Sequence, residues 1–315
     1  MVRLSDRSFA RRIDILSLQL FVAVCELGSI GKAAERESVA VSAISKRLTD
    51  LEAVVGAQLL YRHTKGVDLT PAGEMLLPHA RSLLLGLQKL RVDLTEYGEG
   101  VRGHVRMQAN ISAIVQYLPE DLGTFVKSRP NVKIDMEEHL SLDIVRAVQQ
   151  GSTDLGICSA SAISTRPALQ TLPYRKDELV LVVPRKHALA RQTAVSFDTT
   201  LDFDHVGLHN NSSIALAMCD AASAANRHVQ LRVQVTSLDA MCRMIQNGLG
   251  IGIMPRRAFK LTRGVGNLVC VKLRDLWAMR SLNLVSRDFA ALPIITRQLV
   301  DHLRLAESRC RSASH

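Results

Sequence analysis

Between residues 29 and 55 the chain carries two short helical patterns separated by a brief turn, and the second has two working faces. Ile44, Leu48, Leu51 and Val55 fall at i, i+4, i+7 and i+11, which makes one apolar stripe on a helix. Ser42, Ser45, Lys46 and Thr49 fall off that stripe. A helix patterned this way can pack on its own domain through one side and lie in a DNA groove with the other. Upstream, Leu20, Phe21, Val24 and Leu27 predict a first amphipathic helix ending at Gly28. Ser29 is placed to cap the next helix. The small Ala33 and Ala34 allow two helices to approach closely, and Val39 falls in the turn, where it would plug the core. Spacing alone fits an ordinary helical hairpin with a solvated polar face equally well.

The segment after the third helix favours DNA. Residues 59–70 hold two strand-like runs around a turn at Lys65-Gly66. This pattern reads as a wing, with Arg62 and Lys65 placed to touch phosphates.

Residues 18–74 resemble the winged helix-turn-helix of LysR-type transcriptional regulators. The matching pieces include Gly28-Ser29, Ala33-Ala34-Glu35, Ser45-Lys46-Arg47-Leu48, Leu51-Glu52, Gly56 and the run Leu69-Thr70-Pro71-Ala72-Gly73-Glu74. The resemblance implies that Ser29 and Lys32 lie near the DNA backbone and that Ser42, Ser45 and Lys46 reach into the groove. That family usually opens this helix with Ser-Gln-Pro; Ala40, Val41 and Ser42 stand at those positions here. Val41 replaces a glutamine that commonly contacts bases, and it could meet a thymine methyl instead.

Thr70-Pro71 predicts another helix start, with proline at the first helical position. From there Leu76, Ala80, Leu83, Leu87, Leu90, Leu94 and Tyr97 alternate steps of four and three, a narrow seam suited to pairing with a second helix. Pro78 falls in this run and is expected to kink or reset it near its start. In the family this segment is a linker helix that pairs two chains, so the resemblance implies a homodimer and, at the level of the assembly, a homotetramer.

Net charge is +10, yet residues 1–103 hold 14 basic and 12 acidic side chains while residues 104–315 hold 26 and 18. The excess therefore sits away from the DNA-reading segment, where it suits an anionic ligand or general attraction to DNA. Six scattered cysteines without a CxxC pair point to reduced thiols in a cytoplasmic protein. Arg11-Arg12 before an apolar run mimics an export leader, but Asp14, Gln19 and Glu26 interrupt that run. With no stretch of 18 apolar residues, no membrane span is expected.

Beyond Gly103 short apolar strand runs alternate with helical ones. Strands are predicted at 104–109, 132–138, 154–159, 178–183, 205–208, 231–235, 251–254 and 282–285, and helices at 113–127, 141–150, 214–226, 238–248 and 292–306. Such alternation argues for α/β sheets. Here the family resemblance implies a two-lobed, periplasmic-binding-protein-like effector domain. Its divisions would be a winged helix-turn-helix over 15–72, a linker helix over 73–102 and an effector-binding half over 103–315. Lobe one would cover about 104–174 and 277–315, and lobe two about 175–276.

Ser112, Ser141, Ser213 and Ser237 each stand just before a predicted helical run, where free N–H groups and the helix dipole favour an anion. Singly, each reads as a plain cap; convergence on one cleft would make a site for a small organic anion. Ser112 and Ser141 match positions that often line the family's effector cleft, and His209, Asn210, Thr236 and Ser237 could complete the rim. Two lookalikes are set aside. Gly248, Gly250 and Gly252 follow a helix and enter a strand, the reverse of a dinucleotide loop. His205 and His209 lie on an extended run, about 13 Å apart and too far to share a metal. With no recognisable nucleophile–base spacing and no metal-ligand cluster, the expectation is a regulator without enzymatic activity or cofactor, whose DNA binding or bending responds to a small molecule.

Overall fold

The computed structural model describes residues 12–64, 66–98, 103–163, 169–262 and 266–312. Lys65, one of the predicted phosphate contacts, lies outside them. The chain forms two compact units, one made of the residues up to Gly98 with Gln150–Ser152 and one made of the rest.

The first unit opens with three helices, α1 (Ile15–Leu27), α2 (Ile30–Glu37) and α3 (Val41–Val55), followed by strands β1 (Leu60–His63) and β2 (Gly66–Leu69). Asp14 caps α1, accepting from the Ser17 N–H at 3.1 Å and the Ser17 hydroxyl at 2.9 Å. These bonds, with the Ser17 hydroxyl foremost, hold its carboxyl below the usual range. Gly28 ends α1 in the left-handed conformation at φ 61°, which glycine adopts without a Cβ penalty. Ser29 caps α2, its Oγ accepting from the Lys32 N–H at 3.4 Å. Leu20, Phe21, Ala33, Ile44 and Leu48 are buried in one core, with Val39 and Val55 packed against it. The expected stripe of α3 therefore does face inward. Its Glu52 carboxylate accepts the N–H groups of Leu59 at 2.8 Å and Leu60 at 3.3 Å, which fixes where the wing begins. In the wing, Leu60 faces Leu69 and His63 faces Gly66 in antiparallel register.

Helix α4 (Pro71–Gly98) starts where Thr70 accepts the Gly73 N–H at 3.0 Å, and it runs through Pro78 as one element. Its apolar seam has two destinations. Leu76 and Ala80 pack on the core of the first unit, whereas Leu83, Leu87, Leu90 and Leu94 are exposed.

The second unit opens with β3 (His104–Ala109), α5 (Ile111–Gln116), α6 (Leu118–Lys127), β4 (Lys133–Glu138), α7 (Ser141–Gln150) and β5 (Leu155–Ser159). The single helix expected over 113–127 is in fact two, broken at Tyr117 (φ −136°, ψ −42°). Pro119 explains the break: it has no N–H for the carbonyl four residues back, and its ring would collide with it.

The long strand β6 (Gln170–Pro184) then passes from one lobe into the other. Its first part, Gln170 to Glu178, pairs with β12 (Met279–Ser286). Its second part, from Leu179, pairs with β10 (Gly252–Pro255) and β11 (Leu268–Leu273). Between these lie β7 (Ala194–Val195), α8 (Phe197–Thr200), β8 (His205–Gly207), α9 (Ser213–Ala224), β9 (Leu231–Gln234), α10 (Leu238–Gln246) and α11 (Arg256–Leu261); α12 (Ile294–Ser312) closes the unit. The sequence pattern found only the apolar end of β6 and missed β11. Arg175, Lys176 and Asp177 interrupt the hydrophobic run of β6, yet Arg175 and Asp177 are buried inside ion pairs.

Each lobe has its own core. One gathers Val105, Met107, Phe125, Ile157, Tyr174 and Leu284; the other gathers Val180, Val182, Val206, Met241, Ile253 and Val271. Gly250 enters β10 at φ 147°, and a Cβ there would stand 2.4 Å from the Asp204 carbonyl. Glycine is needed at that point for close backbone approach, with no phosphate loop involved.

Candidate functional site

On the first unit, the described DNA-reading candidates lie on α2 and its cap, on α3 and in the wing. Val41 is 52% exposed, and Ser42, Lys46 and Lys32 are also exposed. Ser45 is half-buried because its Oγ accepts from Arg62 Nη1 at 2.7 Å, a bond that ties the wing to the recognition helix. The neighbouring arginines are already committed. Arg47 pairs with Asp14 at 2.5 Å, and Arg36 pairs with Glu26 and Glu37 at 3.0 Å each. Among the described residues, the candidate cations outside such pairs are Lys32, Lys46 and Arg62.

On the second unit, a cavity of about 240 Å³ opens beyond the carboxyl ends of β3 and β4, bounded in part by Ile111, Glu138, His139, Leu208, His209 and Thr236. That placement is the usual one for ligands of α/β sheets. A smaller recess shares several of these walls and is lined by Ser112, Ser141 and Ser213. Three of the four serines therefore converge. Asn210 and Ser237 are not among the lining residues of either space; Ser237 caps α10, accepting the Ala240 N–H at 3.4 Å.

The reason for convergence differs from the one expected. Ser112 caps nothing: Asn110 does, its side chain accepting the Ala113 N–H at 3.0 Å, and Ser112 sits inside α5, 2% exposed. Likewise Ser212 caps α9, and Ser213 is its first residue. What gathers the Ser112 and Ser213 hydroxyls is Arg280 at the start of β12. Its Nη2 donates to Ser112 Oγ at 3.2 Å and its Nη1 to Ser213 Oγ at 3.1 Å, while Asp177 on β6 pairs with it from behind. Asp177 is fully buried and also accepts from Gln116 Nε2 at 3.2 Å. Ser141 Oγ accepts from Asn110 Nδ2 at 3.1 Å and from the Ser159 N–H at 3.3 Å. Sequence spacing gave no sign of Arg280 or Asp177, which lie 103 residues apart in the chain.

Elsewhere, burial pushes the Cys158 thiol up to about 12, which makes it a poor nucleophile, and drives His205 down to about 4. Among the described residues no group of three or more His, Cys, Asp or Glu is placed to hold a metal ion. Among them, too, no helix is long and apolar enough to cross a membrane.

Both units match known domains. Residues 15–74 match the bacterial regulatory helix-turn-helix of the LysR family, and residues 98–307 match the LysR substrate binding domain. This chain belongs to the LysR family of transcriptional regulators. As a LysR-type regulator it joins a DNA-binding helix-turn-helix to a two-lobed α/β effector-binding domain. An uncharacterized HTH-type transcriptional regulator of Escherichia coli K12, YbhD, is 24% identical over 279 residues, 89% of this chain and 87% of YbhD. Full-length CbnR complexed with its target DNA shares the fold at a TM-score of 0.61 and 20% identity, over 93% of this chain and 99% of that one. The effector binding domain of QuiR in complex with shikimate aligns at a TM-score of 0.57 and 19% identity, over 66% of this chain and 98% of QuiR's domain.

Proposed function

We propose that this LysR-type regulator acts in the cytoplasm as a homodimer, assembling further into a homotetramer, and that a small organic anion in its cleft alters how it binds or bends DNA. The observation that carries the reading is the Arg280 junction, which presents hydroxyls from both lobes to one recess. A ligand seated on Ser112, Ser141 and Ser213 touches both lobes at once. It shifts their arrangement only as far as it binds one arrangement better than another. Shikimate in QuiR is a precedent for a small organic acid in a domain of this fold.

DNA contact falls to Ser29, Lys32, Val41, Ser42, Ser45, Lys46, Arg62 and Lys65, with the cations giving affinity and the residues of α3 giving sequence preference. CbnR with its target DNA supports that assignment by fold. We divide the chain into a DNA-binding domain over 15–72, a linker helix over 73–102 and the effector half over 103–315. The exposed leucines of the linker helix support pairing of two chains, which would set two recognition helices on half-sites of an interrupted palindrome. Footprinting on the gene's own upstream region, with and without small organic acids, tests the reading. A footprint that an acid alters supports it, and a footprint that no ligand alters leaves an architectural DNA-binding protein.

A further inference from the structure

The hydrogen-bond donors around the recess narrow the ligand further. The Arg280 guanidinium can only donate, so Ser112 Oγ and Ser213 Oγ must both accept from it. The Asn110 amide nitrogen and the Ser159 N–H likewise make Ser141 Oγ an acceptor twice over. Each hydroxyl keeps its own hydrogen, and among the described residues none accepts it. Ser112 and Ser141 are 2% and 3% exposed and line the recess, so what remains for those hydrogens is a group inside it. Arg280 Nε is also buried without a partner among the described residues. This end of the site asks for hydrogen-bond acceptors; because Asp177 already balances the charge of Arg280, it is the converging hydroxyl hydrogens that suit the two acceptor oxygens of a carboxylate.

The adjoining space asks for the opposite charge. Two carboxylates line it, Glu138 and Asp143, and Glu138 also borders the serine recess, standing between the two spaces. Asp143 has a cation, Arg146, at 3.3 Å. Glu138 has no hydrogen bond or ion pair among the described residues, and desolvation holds its carboxyl above the usual range despite the neighbouring His139. His139 itself hydrogen-bonds Glu137 at 3.0 Å, and His209 and the paired Asp143 are the other titratable walls. Register places Glu138 beside the donors: it faces Ala109 across the parallel β3–β4 pair, three residues before Ser112, and precedes Ser141 by three. A simple anion would meet Glu138 as a like charge.

We propose, resting on the effector reading above, that the ligand is a zwitterion of amino-acid type, its carboxylate on Ser112, Ser141 and Ser213 and its ammonium on Glu138. The recess of about 30 Å³ that the three serines line has room for a carboxylate group, and the adjoining cavity of about 240 Å³ takes the rest of such a ligand, the larger space being smaller than the ~300–1,000 Å³ of drug-sized sites.

The full-length protein is to be melted with each proteinogenic amino acid, its deaminated acid and its decarboxylated amine, and titrated calorimetrically with any that raise Tm. The expected result is one or more amino acids binding at least about tenfold more tightly than both truncated analogues. In Glu138→Gln, an exposed substitution that leaves the core intact, the amino acid then binds no better than its deaminated acid. Deaminated acids that bind the wild type as tightly as amino acids overturn the zwitterion while the organic-anion reading stands. Undiminished amino-acid binding by Glu138→Gln also overturns it. No shift from any acid or amino acid overturns both.

Discussion

Arg62 Nη1 in the wing donates to Ser45 Oγ on the recognition helix across 2.7 Å. Two side chains that sequence reasoning assigned to different parts of a duplex, phosphate and groove, are one unit before DNA arrives. The bond holds the guanidinium over the helix surface that carries Lys46 and Ser42. Arg62→Ala should weaken binding across DNA sequences and lower the magnitude of the salt slope by about one. Affinity measured between about 50 and 200 mM salt checks this. An unchanged slope removes Arg62 from the phosphate contacts.

Lys46 is exposed on α3 with no ion pair among the described residues. Lys46→Ala should cost about 1–3 kcal/mol at the operator and less on unrelated DNA. Competition binding with specific and random duplexes separates the two. Operator affinity equal to wild type would show that another element reads the groove.

In the cleft, Arg280 is 7% exposed beside a fully buried Asp177. Removing the cation alone strands a buried carboxylate, so Arg280→Met should lose about 3–5 kcal/mol of stability. Replacing both partners, with Asp177→Leu as the second change, should recover much of that loss while still abolishing the ligand response. Urea unfolding of the single and double variants measures the coupling.

His205 supplies a pH signature. Its ring is buried, with Nδ1 3.0 Å from the Phe203 carbonyl, and burial drives its pKa down to about 4. Between that value and about 6.5 the unfolded chain binds a proton that the folded chain refuses. Stability is therefore full above pH ~6.5 and falls as pH drops toward 4, by about 3 kcal/mol. His205→Gln should flatten that part of the profile in urea unfolding measured across the same range.

The seam of α4 gives the oligomer test. Leu83 is 57%, Leu90 54% and Leu94 65% exposed on one chain. Burying a leucine contributes roughly 1.5–3 kcal/mol, so Leu90→Glu with Leu94→Glu should turn a dimer into a monomer in light scattering and weaken operator binding with it.

What could be read from the chain tracked the period of its apolar residues. The helix-turn-helix emerged because Ile44, Leu48 and Leu51 are both periodic and buried, and Ser29 and Thr70 cap helices as their residue types foretell. The first part of β6 escaped because Arg175 and Asp177 are charged residues in the interior, held by partners remote in sequence. The cleft was half visible. Ser112, Ser141 and Ser213 were found, but as helix caps; Asn110 and Ser212 cap two of those helices, Ser112 and Ser213 meet through Arg280, and Ser141 is held by Asn110 and the Ser159 N–H. No local pattern announces a bond between strands that meet only after the chain has crossed between lobes twice.

The most direct test of the account is a footprint of the full-length protein on its own upstream region, with and without the acid or amino acid that most raises its melting temperature. A ligand-responsive regulator predicts protection at two half-sites whose extent or bending changes with the ligand, and a response lost in Arg280→Met/Asp177→Leu. Protection that stays identical in the presence of a ligand shown to bind the cleft would contradict it.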